Sequence, residues 1–377
     1  MTTLNDLITP ACLLDSEKFK RNCERMRAVA EAEQLVLRPH VKTLKSLQAA
    51  EYYAPVSGPV TVSTLAEASA FAAAGYTDIL YAVGLTPNKF SQLAALQRLA
   101  PDFTVIADSQ AAVAALVSFA SQLDVPVAVM LEVDVDDHRA GLLPDSSELI
   151  DCARVLNNSA NIRFRGIMTH AGASYDCDTK AAQQAMAVQE CQGIAAAAER
   201  LSEAGINCEI VSAGSTPTAL AGVEHTGITE LRAGVYATFD CVMAGLGVCS
   251  TDEIALSVLT AVIGHQRDKN WVIVDAGWMA LSRDQGTALH NVDCGYGLVC
   301  DEQGQLLDGW YVCSTNQEHG IIRHRDNIEP PENLFGYGNL LRILPIHACA
   351  TAAQYQQYYV INSACEVETI WSRVNGW

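Results

Sequence analysis

The stretch VTVSTLAEASAFAAAGYTDILYAVG, residues 60–84, sets the pattern from which the fold can be predicted. It begins with a short apolar run of β-type residues, continues through an Ala-rich segment and ends in a second apolar run. Both runs are nearly continuous rather than alternating, as expected of parallel strands that are covered on both faces. The stretch therefore indicates a strand, a crossover helix and a second, parallel strand.

The same alternation extends in both directions along the chain. Helix candidates separate most of the apolar runs, and the longest of them, residues 179–204, is followed by Gly205, a good helix stop. Repeated strand–helix units predict an α/β fold, namely a TIM (β/α)8 barrel, with a doubly wound open sheet as the alternative. The eight apolar runs are residues 36–43, 60–64, 78–84, 103–108, 127–135, 164–172, 208–215 and 230–239.

After about residue 245 the pattern changes. Apolar runs follow one another with turn signals between them and few helix signals, which predicts an antiparallel β domain. The segment ACLLD, residues 11–15, is a further strand candidate for that domain. We therefore predict a barrel domain over residues 15–245 and a β domain over residues 246–377 together with 1–14.

Composition narrows the classes of protein that the chain can belong to. Of its 377 residues 50% are hydrophobic and 18% charged, which is globular, and the net charge of −19 disfavours nucleic acid and anionic membranes as main partners. No apolar run reaches the roughly 18 residues of a membrane helix. The N-terminus lacks the features of a signal peptide, and the 13 scattered cysteines indicate reduced thiols. We therefore expect a cytoplasmic protein.

Lys42 lies near the C-terminal end of the first predicted barrel strand, residues 36–43, where barrel enzymes collect their functional groups. A lysine in an apolar strand is costly unless it is paired or has lost its proton, and a neutral amine can form a Schiff base. The alternative is a side chain that extends past the strand into solvent. Lys45, three residues further on, is expected to be a solvated charge.

The run AGST, residues 213–216, follows the seventh predicted strand. Glycine and small hydroxyl residues expose several backbone N–H groups there, and such a turn can bind phosphate. The alternative is an ordinary turn in which Ser or Thr caps the next helix. A strand-end lysine and a phosphate loop together suggest pyridoxal phosphate (PLP) bound in a barrel.

His347 and Cys349 stand two residues apart in ILPIHACATA, which we interpret as a strand, so that both side chains lie on one face. Imidazole and thiolate are ligands that Zn²⁺ prefers. The alternative is a hydrogen-bonded core histidine beside a buried cysteine, and the spacing alone favours it because catalytic zinc normally has three protein ligands. His319 or Asp240 could supply a third ligand, or water and substrate could complete the coordination.

Several motifs occur in an order that resembles a known family. They include RPHVKT at 38–43, HRAGL at 138–142, THAG at 169–172, ELRAG at 230–234 and HACAT at 347–351. The chain resembles the fold-type III PLP enzymes of the D-serine dehydratase and D-threonine aldolase family, relatives of bacterial alanine racemase. The resemblance covers essentially the whole chain, and it implies a PLP-binding TIM barrel with an added β domain, usually in a homodimer.

The resemblance also implies roles for individual residues. Lys42 would be the Schiff-base lysine, and His347 and Cys349 would bind Zn²⁺. Arg232 stands where alanine racemase places an arginine against the pyridine nitrogen, whereas D-serine dehydratases use the tyrosine that matches Tyr175, so the choice between the two stays open. Arg139 is expected at the phenolic oxygen of PLP, and Ser215, Thr216 and Gly234 are expected at its phosphate. The other residues expected to contact PLP are Lys42, His170, Tyr175, Arg232 and Tyr236.

The implied reaction is a PLP- and zinc-dependent β-elimination on a small D-hydroxy amino acid, with D-serine converted to pyruvate and ammonia. The aldolase branch tends to carry His-x-Asp with Mg²⁺ or Mn²⁺, whereas the soft thiol of Cys349 favours zinc. Three alternatives remain: a retro-aldol enzyme acting on D-threonine or D-3-hydroxyaspartate, an amino-acid racemase, and a non-catalytic PLP carrier. The carrier is disfavoured because such relatives are lone barrels.

Overall fold

The computed structural model describes residues 2–377. Its strands are β1 Thr2–Thr3, β2 Ala11–Asp15, β3 Val36–Pro39, β4 Val60–Val62, β5 Ile79–Tyr81, β6 Thr104–Ala107, β7 Val127–Glu132, β8 Ile162–Met168, β9 Ile210–Ala213, β10 Glu230–Ala233, β11 Leu256–Gln266, β12 Trp271–Val274, β13 Gly297–Cys300, β14 Leu306–Thr315, β15 Gly320–His324, β16 Leu340–Pro345, β17 Gln357–Ile361 and β18 Glu366–Ser372. Its α-helices are α1 Ser16–Ala32, α2 Leu47–Tyr53, α3 Leu65–Ala73, α4 Phe90–Leu99, α5 Gln110–Ala120, α6 Ser147–Asn157, α7 Lys180–Glu203, α8 Thr216–Ala219, α9 Cys241–Gly245, α10 Trp278–Leu281, α11 Glu332–Phe335 and α12 Ala348–Ala352.

The chain forms two compact units, which are described separately. The barrel unit comprises Arg25–Gly234 and Val374–Trp377, and the β unit comprises the chain up to Glu24 together with Val235–Arg373. The predicted division of the chain at residue 245 stays a prediction.

The barrel unit contains one parallel sheet of eight strands, in the order β3-β10-β9-β8-β7-β6-β5-β4. Each of the eight apolar runs contains one of these strands. The two end strands meet through a parallel bridge between His40 and Thr61, where the Val41 amide donates to the Thr61 carbonyl oxygen at 2.9 Å. The sheet is therefore a nearly closed barrel, which confirms the TIM-barrel prediction over the open sheet.

The barrel interior combines apolar packing with buried charge. Arg38 on β3 is 2% exposed, and its guanidinium lies 2.7 Å from Glu230 on β10 and 2.9 Å from Asp78, just before β5. Buried charges persist where they are paired, so these contacts account for the arginine inside an apolar strand. A core layer is formed by one residue from each of β5 to β9: Leu80, Ile106, Met130, Met168 and Ile210.

Helix starts in the barrel unit follow directly from the sequence. Five helices of seven or more residues begin after a serine or threonine whose side-chain oxygen accepts a backbone N–H from the first turn, which fixes the helix start. Helix α7 ends at Glu203, and Gly205 beyond it has φ of 78°, as the predicted stop requires. The capping residues are Ser46, Thr64, Ser109, Ser146 and Thr179.

The β unit contains a ten-stranded sheet in the order β1-β18-β17-β2-β11-β12-β15-β14-β13-β16. Its pairs are antiparallel except that of β2 with β17, and β16 also pairs with β11, so the six strands β11 to β16 close on themselves. The predicted antiparallel domain and the place of ACLLD in it, as β2, are confirmed. Strand β15 has only the two apolar residues Ile321 and Ile322 in succession, which is too short a run to indicate a strand by itself.

The interpretation of ILPIHACATA, residues 343–352, as one strand is wrong at its end. Strand β16 stops at Pro345, His347 is the N-cap of α12, and Cys349 lies within that helix. Proline has no N–H for the next ladder hydrogen bond, and the Ala-rich segment after it favours a helix. His347 and Cys349 therefore meet through a helix turn rather than through strand alternation.

Candidate active site

Lys42 lies in the turn after β3, at the carboxyl end of a barrel strand, and it is half-buried. After burial, the charge of Lys42 is the largest influence that lowers the pKa of both His40 and His170. The expectation for Lys45 is wrong. Its Nζ lies 3.3 Å from the fully buried carboxylate of Glu67 rather than in solvent, because that carboxylate needs a counter-charge.

Two neutral histidines stand beside Lys42. Burial, and then the charges of Lys42 and Arg232, lower the pKa of His170 to about 3, and the same causes lower the pKa of His40 well below its usual value. His170 Nδ1 lies 3.3 Å from the Gly214 carbonyl oxygen, and His40 Nε2 lies 3.3 Å from Ser63 Oγ. His40 Nδ1 is buried without a hydrogen-bond partner. The prediction omitted His40 as a site residue, although the motif RPHVKT contains it.

Arg232 is fixed between three barrel strands. It is 4% exposed, and it donates to Ser212 Oγ at 2.7 Å and to the Thr169 carbonyl oxygen. Burial lowers its pKa, which the charge of Glu230 opposes most strongly. Tyr175, in the 3-10 turn of residues 172–176, lies with its ring centroid 6.2 Å from that of His170. Arg232 and Tyr175 are therefore both neighbours of His170, and the choice between them stays a prediction.

The predicted phosphate loop forms a tight turn. Ser215 caps the short helix α8, where its Oγ accepts the Thr218 amide at 3.2 Å, and Thr216 is the first residue of that helix. Phosphate binding by this turn stays a prediction. Gly214 has φ of 124°, and a Cβ there would lie 2.4 Å from the Arg232 carbonyl oxygen. A Cβ at Gly234 would lie 3.1 Å from His40, so this backbone also approaches its neighbour closely.

Arg139 and Tyr236, the other two residues predicted to contact PLP, differ in exposure and in the unit that contains them. Arg139 is 60% exposed, and it lies 3.2 Å from Glu132, whose pKa is raised by burial although Arg139 opposes the shift. Tyr236 is fully buried in the 3-10 turn of residues 235–237 and belongs to the β unit.

His347 and Cys349 lie together in the β unit, where their side chains hydrogen-bond. Asp284 Oδ2 lies 2.6 Å from His347 Nδ1. Burial opposes the protonation of His347, but the bonds to Asp284 and Cys349 raise its pKa to about 11. Asp240 is buried and accepts the Ala348 amide at 2.9 Å, so it holds the start of α12. Asp284 lies outside the motifs that indicated the site, which is why the sequence did not indicate it.

The donor atoms of His347 and Cys349 are suited to binding a metal ion. Asp284 occupies Nδ1 of His347, which leaves Nε2 for a metal, and the thiol of Cys349 adds a soft ligand. The pair fits a divalent ion whose other positions are filled by water or substrate. Among residues 2–377, no three or more His, Cys, Asp or Glu side chains are grouped so that they could hold a metal ion. Neither His319 nor Asp240 therefore forms a three-ligand group with His347 and Cys349.

The fit to PLP rests on the barrel residues. The groups at the carboxyl ends of the strands are a lysine amine, two neutral imidazoles and a small-residue turn. One of the imidazoles has a buried nitrogen without a hydrogen-bond partner. These groups suit a ring that carries an aldehyde and a phosphate. A TIM barrel with this set and a separate β unit defines the class of fold-type III PLP enzymes.

Comparison with known proteins agrees with this class. Residues 14–241 match the family described as "Alanine racemase, N-terminal domain", and residues 255–361 match the "Putative serine dehydratase domain". The chain is 47% identical over 379 residues to D-threo-3-hydroxyaspartate dehydratase of Delftia sp. (strain HT23), covering 100% of this chain and 99% of the relative. It is 28% identical to D-serine dehydratase of Dictyostelium discoideum, covering 96% and 95% of the two chains.

Solved structures give the same result. The structure of D-threo-3-hydroxyaspartate dehydratase from Delftia sp. HT23 superimposes with a TM-score of 0.96 at 46% identity, covering 100% of both chains. A Cys-to-Ala variant of that enzyme in the metal-free form gives a TM-score of 0.97, also at 46% identity and with 100% of both chains covered. D-threonine aldolase from Filomicrobium marinum, at 22% identity and a TM-score of 0.84 over 99% of this chain and 97% of its own, shares the fold.

The chain belongs to the alanine racemase-like, fold-type III family of PLP-dependent lyases that includes these dehydratases. The predicted family, fold class and lyase activity are confirmed, and the family contains both dehydratases and aldolases of D-hydroxy amino acids. Among the described residues, no helix is both long and apolar enough to cross a membrane.

Proposed function

We propose that the chain dehydrates D-threo-3-hydroxyaspartate with PLP and a zinc ion. The observation that carries the proposal is the 47% identity, over the whole chain, to an enzyme of that name. D-serine, which the motifs alone favoured, is the second candidate substrate, since D-serine dehydratases are also relatives at 28% identity and below.

We assign PLP to the carboxyl ends of the barrel strands. Lys42 would hold the cofactor covalently, because it is the half-buried amine at the predicted position and two neutral imidazoles accompany it. When bound, PLP stabilises the electron pair left at the substrate Cα. The residues proposed to contact it are Lys42, Arg139, His170, Tyr175, Ser215, Thr216, Arg232, Gly234 and Tyr236.

Lys42 would also act as the general base that takes the Cα proton. A general base needs a free electron pair and a position next to the proton that it takes, and Lys42 is the half-buried amine at the carboxyl end of the barrel strands. The Arg232 guanidinium, anchored by Ser212 and Thr169, would stay in place while the proton moves.

We propose His347 and Cys349 as the metal ligands and zinc as the metal. Asp284 would keep His347 oriented, as carboxylates bound to metal-ligating histidines do. A thiol ligand favours zinc over the harder Mg²⁺ and Mn²⁺. A zinc ion held there would act as a Lewis acid on the substrate β-hydroxyl and make it a better leaving group.

Product analysis separates the candidate reactions. Loss of the Cα proton and the β-hydroxyl, followed by hydrolysis, gives oxaloacetate and ammonia from D-threo-3-hydroxyaspartate, and pyruvate and ammonia from D-serine. The purified enzyme should be incubated with each substrate and with D-threonine, with and without Zn²⁺. Among the three substrates, we expect the highest kcat/KM for D-threo-3-hydroxyaspartate, measured as the formation of oxaloacetate. Glycine plus an aldehyde would instead indicate an aldolase, and loss of optical activity without a keto acid would indicate a racemase.

We also propose a cytoplasmic homodimer. None of the 13 cysteines, all of which lie within residues 2–377, forms a disulfide, which suits a reducing compartment. Sedimentation velocity would test the dimer, since a species of one chain's mass across the concentration range would contradict it.

A further inference from the structure

Glu190 is a buried carboxylate in the middle of α7. The residue is 1% exposed, and Ala187, Cys191 and Ile194 are buried on the same helix. A carboxylate in such surroundings is costly unless hydrogen bonds replace its water. Burial raises the pKa of Glu190, and hydrogen bonds from Thr218 and two backbone amides oppose that rise. The position of this carboxylate therefore depends on those bonds.

The two amides come from different loops. Glu190 Oε1 accepts the Ala171 amide at 2.9 Å and the Gly214 amide at 3.1 Å. Ala171 follows His170 in the loop after β8, and Gly214 precedes Ser215 in the loop after β9. A single oxygen atom thus joins the two loops, and we call this contact the Glu190 bridge.

Two further contacts join the same loops. His170 Nδ1 lies 3.3 Å from the Gly214 carbonyl oxygen, and Ser174 Oγ lies 2.8 Å from Ser215 Oγ. Gly214 cannot shift freely, because its φ is 124° and the Arg232 carbonyl oxygen lies directly against it. The Glu190 bridge therefore holds a rigid pair of loops from the helix side.

Glu190 also acts through its charge. It is, after Glu230, the carboxylate that most opposes the lowering of the pKa of Arg232 by burial. Removing the charge would make the buried guanidinium costlier to hold, in addition to releasing both amides.

We propose that Glu190 is a positioning residue for PLP, in that it sets the spacing between the His170 loop and the Ser215 loop and so determines how tightly the phosphate is held. The proposal rests on the cofactor roles proposed above for His170 and Ser215.

The test compares Glu190→Met and Glu190→Gln with Glu199→Gln, a matched change at an exposed position of the same helix. Methionine accepts neither amide, whereas the glutamine oxygen still can. We expect apparent PLP affinity to fall about tenfold or more in Glu190→Met, and less in Glu190→Gln, since a bond to a charged group is strong. The affinity for pyridoxal, which lacks the phosphate, should change little. Absorbance titration of apoenzyme measures both affinities.

The ratio of PLP to pyridoxal affinity decides the outcome. An unchanged ratio in Glu190→Met, even with a lower Tm of the apoenzyme, would show a purely structural role and overturn the proposal. If Glu190→Met does not fold, Glu190→Gln and the shorter Glu190→Asp take its place, and an unchanged ratio in both overturns the proposal equally. Failure of the proposed function looks different, since wild-type enzyme would then not bind PLP or would form no keto acid.

Discussion

At the scale of single residues, the proposed chemistry depends on Lys42 and the groups beside it. Strand β3 ends at Pro39, and the following turn carries His40 and Lys42 to the carboxyl end of the barrel. The motif identified the lysine from sequence, but the neutrality of His40 and His170 follows from burial and from nearby charges that only the folded chain brings together.

Replacing Lys42 by Ala should abolish both activity and the visible absorbance band that PLP acquires when it is joined to a lysine. The reason is that no covalent bond can form without the amine. Absorbance spectroscopy with added PLP measures this, and Lys20→Ala, at a partly exposed position of α1, is the control. A band of wild-type intensity in Lys42→Ala would disprove the assignment.

Asp284→Asn should weaken zinc binding about 10- to 100-fold, because the carboxylate that orients His347 is lost while the ligands remain. Competition with a chromophoric chelator measures the affinity. Asp308→Asn, at an exposed position of β14, is the matched control. Equal zinc affinity in the two variants would show that Asp284 does not orient the ligand.

At the scale of the elements, buried ion pairs join strands that are distant in the chain. Arg38 on β3 bonds Glu230 on β10, and Ser212 on β9 donates to Glu230 Oε1 at 2.6 Å. These bonds lie within the barrel, so they contribute to the register of three neighbouring strands.

Arg38→Met should destabilise the protein by about 3–5 kcal/mol, because it leaves Glu230 buried without its partner. The double variant Arg38→Met with Glu230→Gln should recover only part of that loss, since the unpaired charge is then gone but the buried Arg232 loses its strongest counter-charge. Urea unfolding of the two variants and wild type measures both effects. A double variant less stable than Arg38→Met would contradict this account.

At the scale of the whole molecule, buried histidines make stability depend on pH. The pKa of His170 is about 3 in the folded protein, against 6.5 for an unperturbed histidine. Between pH 6.5 and pH 3, His170 is therefore protonated in the unfolded chain but not in the folded protein. The contribution of His170 to stability is therefore complete above pH 6.5 and is lost as pH falls toward 3. His40 acts in the same direction.

The free energy of unfolding of the apoenzyme should accordingly fall between pH 6.5 and pH 5, with His170 contributing about 1.4 kcal/mol per pH unit. His170→Asn should reduce this slope by that amount, whereas His319→Asn, at an exposed position, should not. Urea unfolding at several pH values provides the comparison. If the free energy of unfolding fell equally with pH in wild type and in His170→Asn, the proton would not be bound by His170.

The sequence by itself determined the architecture and the family of this protein. Apolar periodicity and chain order are local properties, so the eight barrel strands, the helices between most of them and the antiparallel β domain could be predicted, and the ordered motifs indicated Lys42, His347 and Cys349. The tertiary structure decided which distant groups meet, including Asp284 at His347, Glu67 at Lys45 and Glu190 between two loops. It also decided the helix that carries Cys349, because Pro345 ends the ladder where the apolar run continues. Contacts between residues far apart in the chain depend on packing, which no local pattern encodes.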